Sequence, residues 1–120
     1  RAGRGTAARG RGVAEGPPGP RVVAASGLGS AAPAPDIGGA LQAAYPNEER
    51  RQGRAGEALV RVRIAPSGRV LAVAVLQSTT DGFGRACRNV LRDSRWGAPR
   101  DAGGEAVATA VRYRCRFRLR

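Results

Sequence analysis

Two cysteines and a large population of arginines are the side chains here whose types could carry chemistry. Cys87 and Cys115 are the sole thiols, and the 21 basic residues, all Arg, outnumber 9 acidic ones for a formal net charge of +12. The cysteines are too far apart for a Cys-x-x-Cys redox pair. With no His in the chain, two Cys are too few soft ligands for a zinc site. The missing His also removes the usual general base for a Ser or Cys nucleophile. No catalytic residue, metal, cofactor or small-molecule substrate is therefore expected, which leaves binding. A charge of this sign attracts phosphate, anionic glycan, lipid headgroups or acidic peptide. Trp, Tyr and Phe together number five, too few for a base-stacking platform, so nucleic acid is the weaker partner class.

The elements that position these groups fit one domain, because 120 residues are too few for two. No run of 18 apolar residues is present to span a membrane. Met is absent even from position 1, from which we expect a processed or excised piece. Residues 1–44 are rich in Gly, Ala, Pro and Arg, as in Gly16-Pro17-Pro18-Gly19-Pro20 and Ala32-Pro33-Ala34-Pro35. Such a segment buries too little surface to offset its ordering entropy and reads as a disordered linker, apart from a short helix near Ile37 to Ala44.

From Tyr45 to Arg120 a period becomes legible. Ala58, Val60, Val62 and Ile64 alternate with Leu59, Arg61 and Arg63, a strand with one buried face. Pro66-Ser67-Gly68 makes a turn, and Val70 to Leu76 a second strand, out of phase near Leu71 and Ala72 as a bulge would make it. Phe83, Ala86, Cys87, Val90 and Leu91 form one helical stripe, with Thr80 or Asp81 as cap and Gly97 and Pro99 as stops. Val107, Thr109, Val111, Tyr113, Cys115, Phe117 and Leu119 then alternate with small residues and arginines as a long last strand with one inward face. These pieces predict a two-layer α+β domain: a three-stranded antiparallel sheet in spatial order 2-1-3, a helix on one face and the last strand on a border.

Tyr45-Pro46, Gly53 and Gly56, the alternation through Ile64, Gly68, the offset Val70 with Val73 and Val75, Ser78, the helix stripe and Gly104, Val107, Val111 and Phe117 together resemble the C-terminal domain of the TonB energy transducers. The resemblance runs from Tyr45 to Leu119 without a gap. It implies a periplasmic protein-binding module of a parent anchored in the inner membrane, with motor proteins reached through an upstream region. Its partner would be the Ton box segment of an outer-membrane transporter, paired along the last strand to support energised transport. The matching partner-binding residues are Val111, Arg112, Tyr113, Arg114, Cys115, Arg116, Phe117, Arg118 and Leu119, with Tyr45 and Pro46 near the same side. A TolA-like or motility-machine envelope domain is the alternative, and a basic nucleic-acid-binding domain the second alternative.

Three features stay open. Arg112, Arg114, Arg116, Arg118 and Arg120 should project from one face at about 6.8 Å spacing, with Arg61 and Arg63 beside them. They either select an acidic partner segment or an anionic envelope polymer, or merely keep a sheet border from aggregating. Cys87 and Cys115 point into one core from facing layers. A disulfide is within reach, as periplasmic residence would favour, and two buried free thiols are the alternative. Tyr45-Pro46 either contributes to partner binding or marks the start of the domain, with Pro46 in the first turn of a short helix and Tyr45 packed on the sheet. An open border also permits a strand-exchanged homodimer.

Overall fold

The computed structural model describes Val22–Ala24 and residues 33–119. Its elements, in chain order, are β1 (Val22–Ala24), α1 (Gly38–Ala43), α2 (Asn47–Arg51), β2 (Gly56–Ile64), β3 (Val70–Ser78), α3 (Asp81–Arg92) and β4 (Ala108–Phe117). They form one sheet, ordered β1-β4-β2-β3. Its antiparallel part is the expected three strands with the expected neighbours: β2 lies in the middle, β3 on one side and β4 on the other.

Strand β2 forms because its alternation can be satisfied. Ala58, Val60, Val62 and Ile64 are fully buried, while Arg61 and Arg63 stay in water. The chain reverses at Gly68, whose φ of 90° suits glycine and whose N–H donates to the Ala65 carbonyl at 2.8 Å. A Cβ at Gly68 would press on the Trp96 carbonyl oxygen. Two register shifts interrupt the β2–β3 ladder. Leu71 is the extra residue at the first, where the out-of-phase pattern predicts it, and Leu76 at the second, which the pattern does not reveal.

Helix α3 starts at Thr80, whose hydroxyl accepts from the Phe83 N–H at 3.2 Å. The Thr80 hydroxyl also donates to Glu49, a buried carboxylate from α2 that lies against Gly82. A negative group is thereby fixed where the first-turn N–H groups point. The inward stripe of α3, Phe83, Cys87 and Leu91, is fully buried against the sheet. Phe83 stacks on Phe117 at 4.9 Å between centroids, and the Tyr45 ring meets both edge-on at 5.6 and 5.8 Å. Removing each such ring from water contributes about 1.5–3 kcal/mol.

Ile37 and Leu41 carry α1 into the same core. The packed unit therefore begins before Tyr45, ahead of the boundary expected at 44. Two apolar anchors among Gly and Ala are too few to register as a period, and contact with α3 and β4 supplies what the helix lacks by itself. The backbone of β1 pairs in parallel with β4, Val22 opposite Ala108 and Ala24 opposite Ala110. A three-residue strand is too short to stand out from a Gly/Pro-rich stretch. The remainder of the expected linker, 1–21 and 25–32, lies outside the described residues.

Cys87 and Cys115 form a disulfide, with S–S 2.12 Å and Cα–Cα 5.8 Å, that ties α3 to β4. Closing a loop of this length contributes roughly 3–4 kcal/mol in the loop-entropy description. Below the helix, Trp96 meets Tyr113 edge-on at 5.8 Å, and its backbone N–H donates to the Gly68 carbonyl at 2.9 Å. Its indole N–H is buried without an acceptor among the described residues.

Candidate functional site

Among the described residues, β4 is the element whose backbone, face charge and surroundings all bear on binding. Its inward side, Thr109, Cys115 and Phe117, is buried, and Val111 and Tyr113 are half-buried. Its ladder with β2 runs without a break from Thr109 opposite Ile64 to Phe117 opposite Gly56. On the side away from β2, β1 covers only Ala108–Ala110. From Val111 to Phe117 no strand among the described residues borders that side. The backbone groups directed there are a template for a further strand.

The outward side of β4 carries Arg112, Arg114 and Arg116, all exposed. Arg61 stands directly opposite Arg112, an unfavourable like-charge pair. Glu57 lies between two others: Arg114 Nη1 approaches its Oε2 at 2.6 Å, and Arg116 Nε its Oε1 at 3.9 Å. Half-exposed pairs of this kind contribute at most about 1 kcal/mol. Among the described residues no carboxylate lies within ion-pair distance of Arg61, Arg63 or Arg112. Among the described residues no helix packs against this face. Arg118 is exposed past the end of the strand, and Arg120 lies outside the described residues.

Leu119 departs from expectation. The alternation places it inward, but β4 ends at Phe117 and Leu119 is 47% exposed. With no partner strand to hold the backbone extended, the register stops two residues short. Leu119 instead lines a cavity of about 600 Å³ with Gly39, Gln42, Ala43, Tyr45 and Arg50. This hollow lies between α1 and the end of β4, on the helix side of the sheet. Tyr45 is buried, its hydroxyl donating to the Arg54 carbonyl and its ring under the Arg50 guanidinium at 4.9 Å. Pro46 caps α2 with φ −62° and does not line the cavity. The structure thus brings Tyr45 to Phe117 and to Leu119 at the end of β4, and Pro46 follows as the cap of α2.

Two contributors escape the sequence reading. Glu57 shares the outward alternation of Arg61 and Arg63 and could have been placed by it. The hollow beside α1 had no such signal, since Gly39 and Ala43 matter by being small.

The model of the family described as Gram-negative bacterial TonB protein C-terminal matches residues 42–119. The chain belongs to this family. Among solved structures, the solution NMR structure of the Pseudomonas aeruginosa TonB CTD is similar at 27% identity, covering 62% of this chain and 76% of that one, with a TM-score of 0.47. No curated protein matches. The TonB C-terminal match begins inside α1 and takes in β2, β3, α3, the disulfide and β4, whereas β1 lies outside it. The open border of β4 is therefore part of the TonB C-terminal unit.

Proposed function

We propose that this TonB C-terminal domain is a periplasmic binding module that takes an extended segment of an outer-membrane transporter onto the border of β4, in support of energised transport. The observation that carries the reading is the regular backbone of Val111–Phe117, bordered on one side by β2 and on the other by no strand among the described residues. Strand addition gains affinity from main-chain hydrogen bonds, each worth about 0.5–1.5 kcal/mol net. Five or so give a reversible grip of a few kcal/mol. The receiving strand is already ordered by Phe117 and by the Cys115 bridge, so little entropy is lost on its side. A disulfide also suits an oxidising compartment, which supports the periplasm. In this reading the parent is anchored in the inner membrane and reaches its motor proteins through an upstream region.

The basic outer face keeps nucleic acid as a second reading. The aromatic side chains speak against it: Tyr45, Phe83, Trp96 and Phe117 are buried and Tyr113 is packed on Trp96, so none offers a face to a base.

Titration of the full chain with nine-residue peptides from the periplasmic N-termini of such transporters tests the proposal. Binding should fall at least tenfold when alternate peptide amides are N-methylated, and between 0.1 and 0.3 M salt it should fall far less steeply than phosphate binding would. Equal binding of the methylated peptide overturns strand addition. Tighter binding of duplex DNA, with a steep linear dependence on log salt, favours the second reading.

A further inference from the structure

The border of β4 has two unlike sides, and they specify the kind of segment it selects. A strand added there lies about 4.8 Å from β4, with successive side chains pointing to opposite faces. Those on one face stand beside Arg112, Arg114 and Arg116, at about 6.8 Å intervals. Those on the other face point to the helix layer, where Leu119, Ala43, Gly39 and Tyr45 line the hollow beside α1. The first face has a deficit of negative charge. Glu57 serves both Arg114 and Arg116, and Arg112 faces Arg61 with no carboxylate in reach among the described residues. A carboxylate on the free side of Arg112 would relieve that repulsion, and two more would complete the partial neutralisation of Arg114 and Arg116.

We infer that the segment accepted by β4 carries Asp or Glu at every second position, on the arginine side, with small or apolar residues between them on the helix side. The inference rests on strand addition at β4 and adds to it a rule of sequence. Arg112 is the position most responsible, because it alone of the β4 arginines lacks an acidic partner among the described residues.

Three peptides of equal length test the rule on the full chain. One alternates Glu with Val, one has the same composition with all Glu in a single block, and one replaces each Glu of the first by Gln. Only the alternating acidic peptide can place every carboxylate on one face. It should bind about tenfold more tightly than the other two at low salt, as expected for three exposed cross-strand pairs. The advantage over the Gln peptide should shrink at 0.5 M salt. R112E should lose most of the preference and gain affinity for an alternating Lys–Val peptide, with its melting temperature unchanged or slightly raised. Equal binding of the blocked peptide overturns the rule in favour of plain attraction between polyanion and polycation. Equal binding of the Gln peptide overturns acid selection but leaves strand addition standing, provided N-methylation still abolishes it. If no peptide binds, strand addition fails and the rule with it.

Discussion

Strands β3 and β4 are of similar length, nine and ten residues, and β3 borders the sheet while β4 is flanked by β1 only at Ala108–Ala110, yet they are built by opposite means. Strand β3 has no charged residue from Val70 to Ser78 and exposes Leu71, Val75 and Leu76. An apolar border of that length would ordinarily pair with other chains. Its two bulges, at Leu71 and Leu76, break the regular spacing of backbone donors and acceptors that such pairing requires. Strand β4 keeps its backbone regular and, from Arg112 to Arg116, places Arg at every second residue. A kink spoils the template for every partner, whereas a row of charges leaves the template intact and filters who may use it. On the reading proposed above, a border that receives a strand is protected in the second way.

That contrast can be broken at several points. The largest effect should come from Phe117→Ala, which removes the ring stacked on Phe83 beneath β4. It should cost about 3–5 kcal/mol in denaturant unfolding and abolish peptide binding. A loss below about 1 kcal/mol would mean that β4 is not seated on the core. Reduction of Cys87–Cys115 comes next, at roughly 3–4 kcal/mol. Amide exchange should then rise in β4 while β3 changes little; equal acceleration in both strands would show that the bridge does not act on β4 selectively. On the β3 side, Gly68→Ala forces a side chain into φ 90° and against the Trp96 carbonyl. A cost of about 1–3 kcal/mol is expected, seen as a lower midpoint in urea.

Two smaller changes sharpen the comparison. Arg112→Glu replaces a like-charge pair with Arg61 by an opposite one, so stability should rise by about 0.2–1 kcal/mol. Binding of acidic peptide should fall at the same time, a divergence that simple loss of structure would not produce. Leu76→Lys, at an exposed bulge, should alter stability by less than about 0.5 kcal/mol. Peptide affinity should stay the same; a marked drop would show that partners use β3 instead.

The sheet and helix were legible because their residues alternate or recur with a clean period. The run from Ala58 to Ile64 and the stripe from Phe83 to Leu91 state which side is inward, and two inward cysteines on facing layers made the bridge conceivable. Thr80 could be nominated as a cap from its place before the stripe. What escaped depends on partners distant in sequence. Glu49 looks like one more surface acid of α2 until α3 delivers its N-terminus to it. Val22–Ala24 acquires meaning only beside Ala108–Ala110, and Leu76 becomes a bulge only when Gln77, and not Leu76, meets Leu59. Leu119 failed for the opposite reason: its alternation was perfect, and the ladder had already stopped.

The Cys87–Cys115 link has a mechanical meaning. A segment zipped to β4 and then tugged toward its own end would tend to peel that strand from its C-terminal tip, one residue at a time. Only Arg116 and Phe117 can be unzipped from β2 before the sulfur–sulfur rivet at Cys115 is reached, and beyond that point the strain passes into α3. The grip would then yield at the borrowed hydrogen bonds while the domain that made them stays intact.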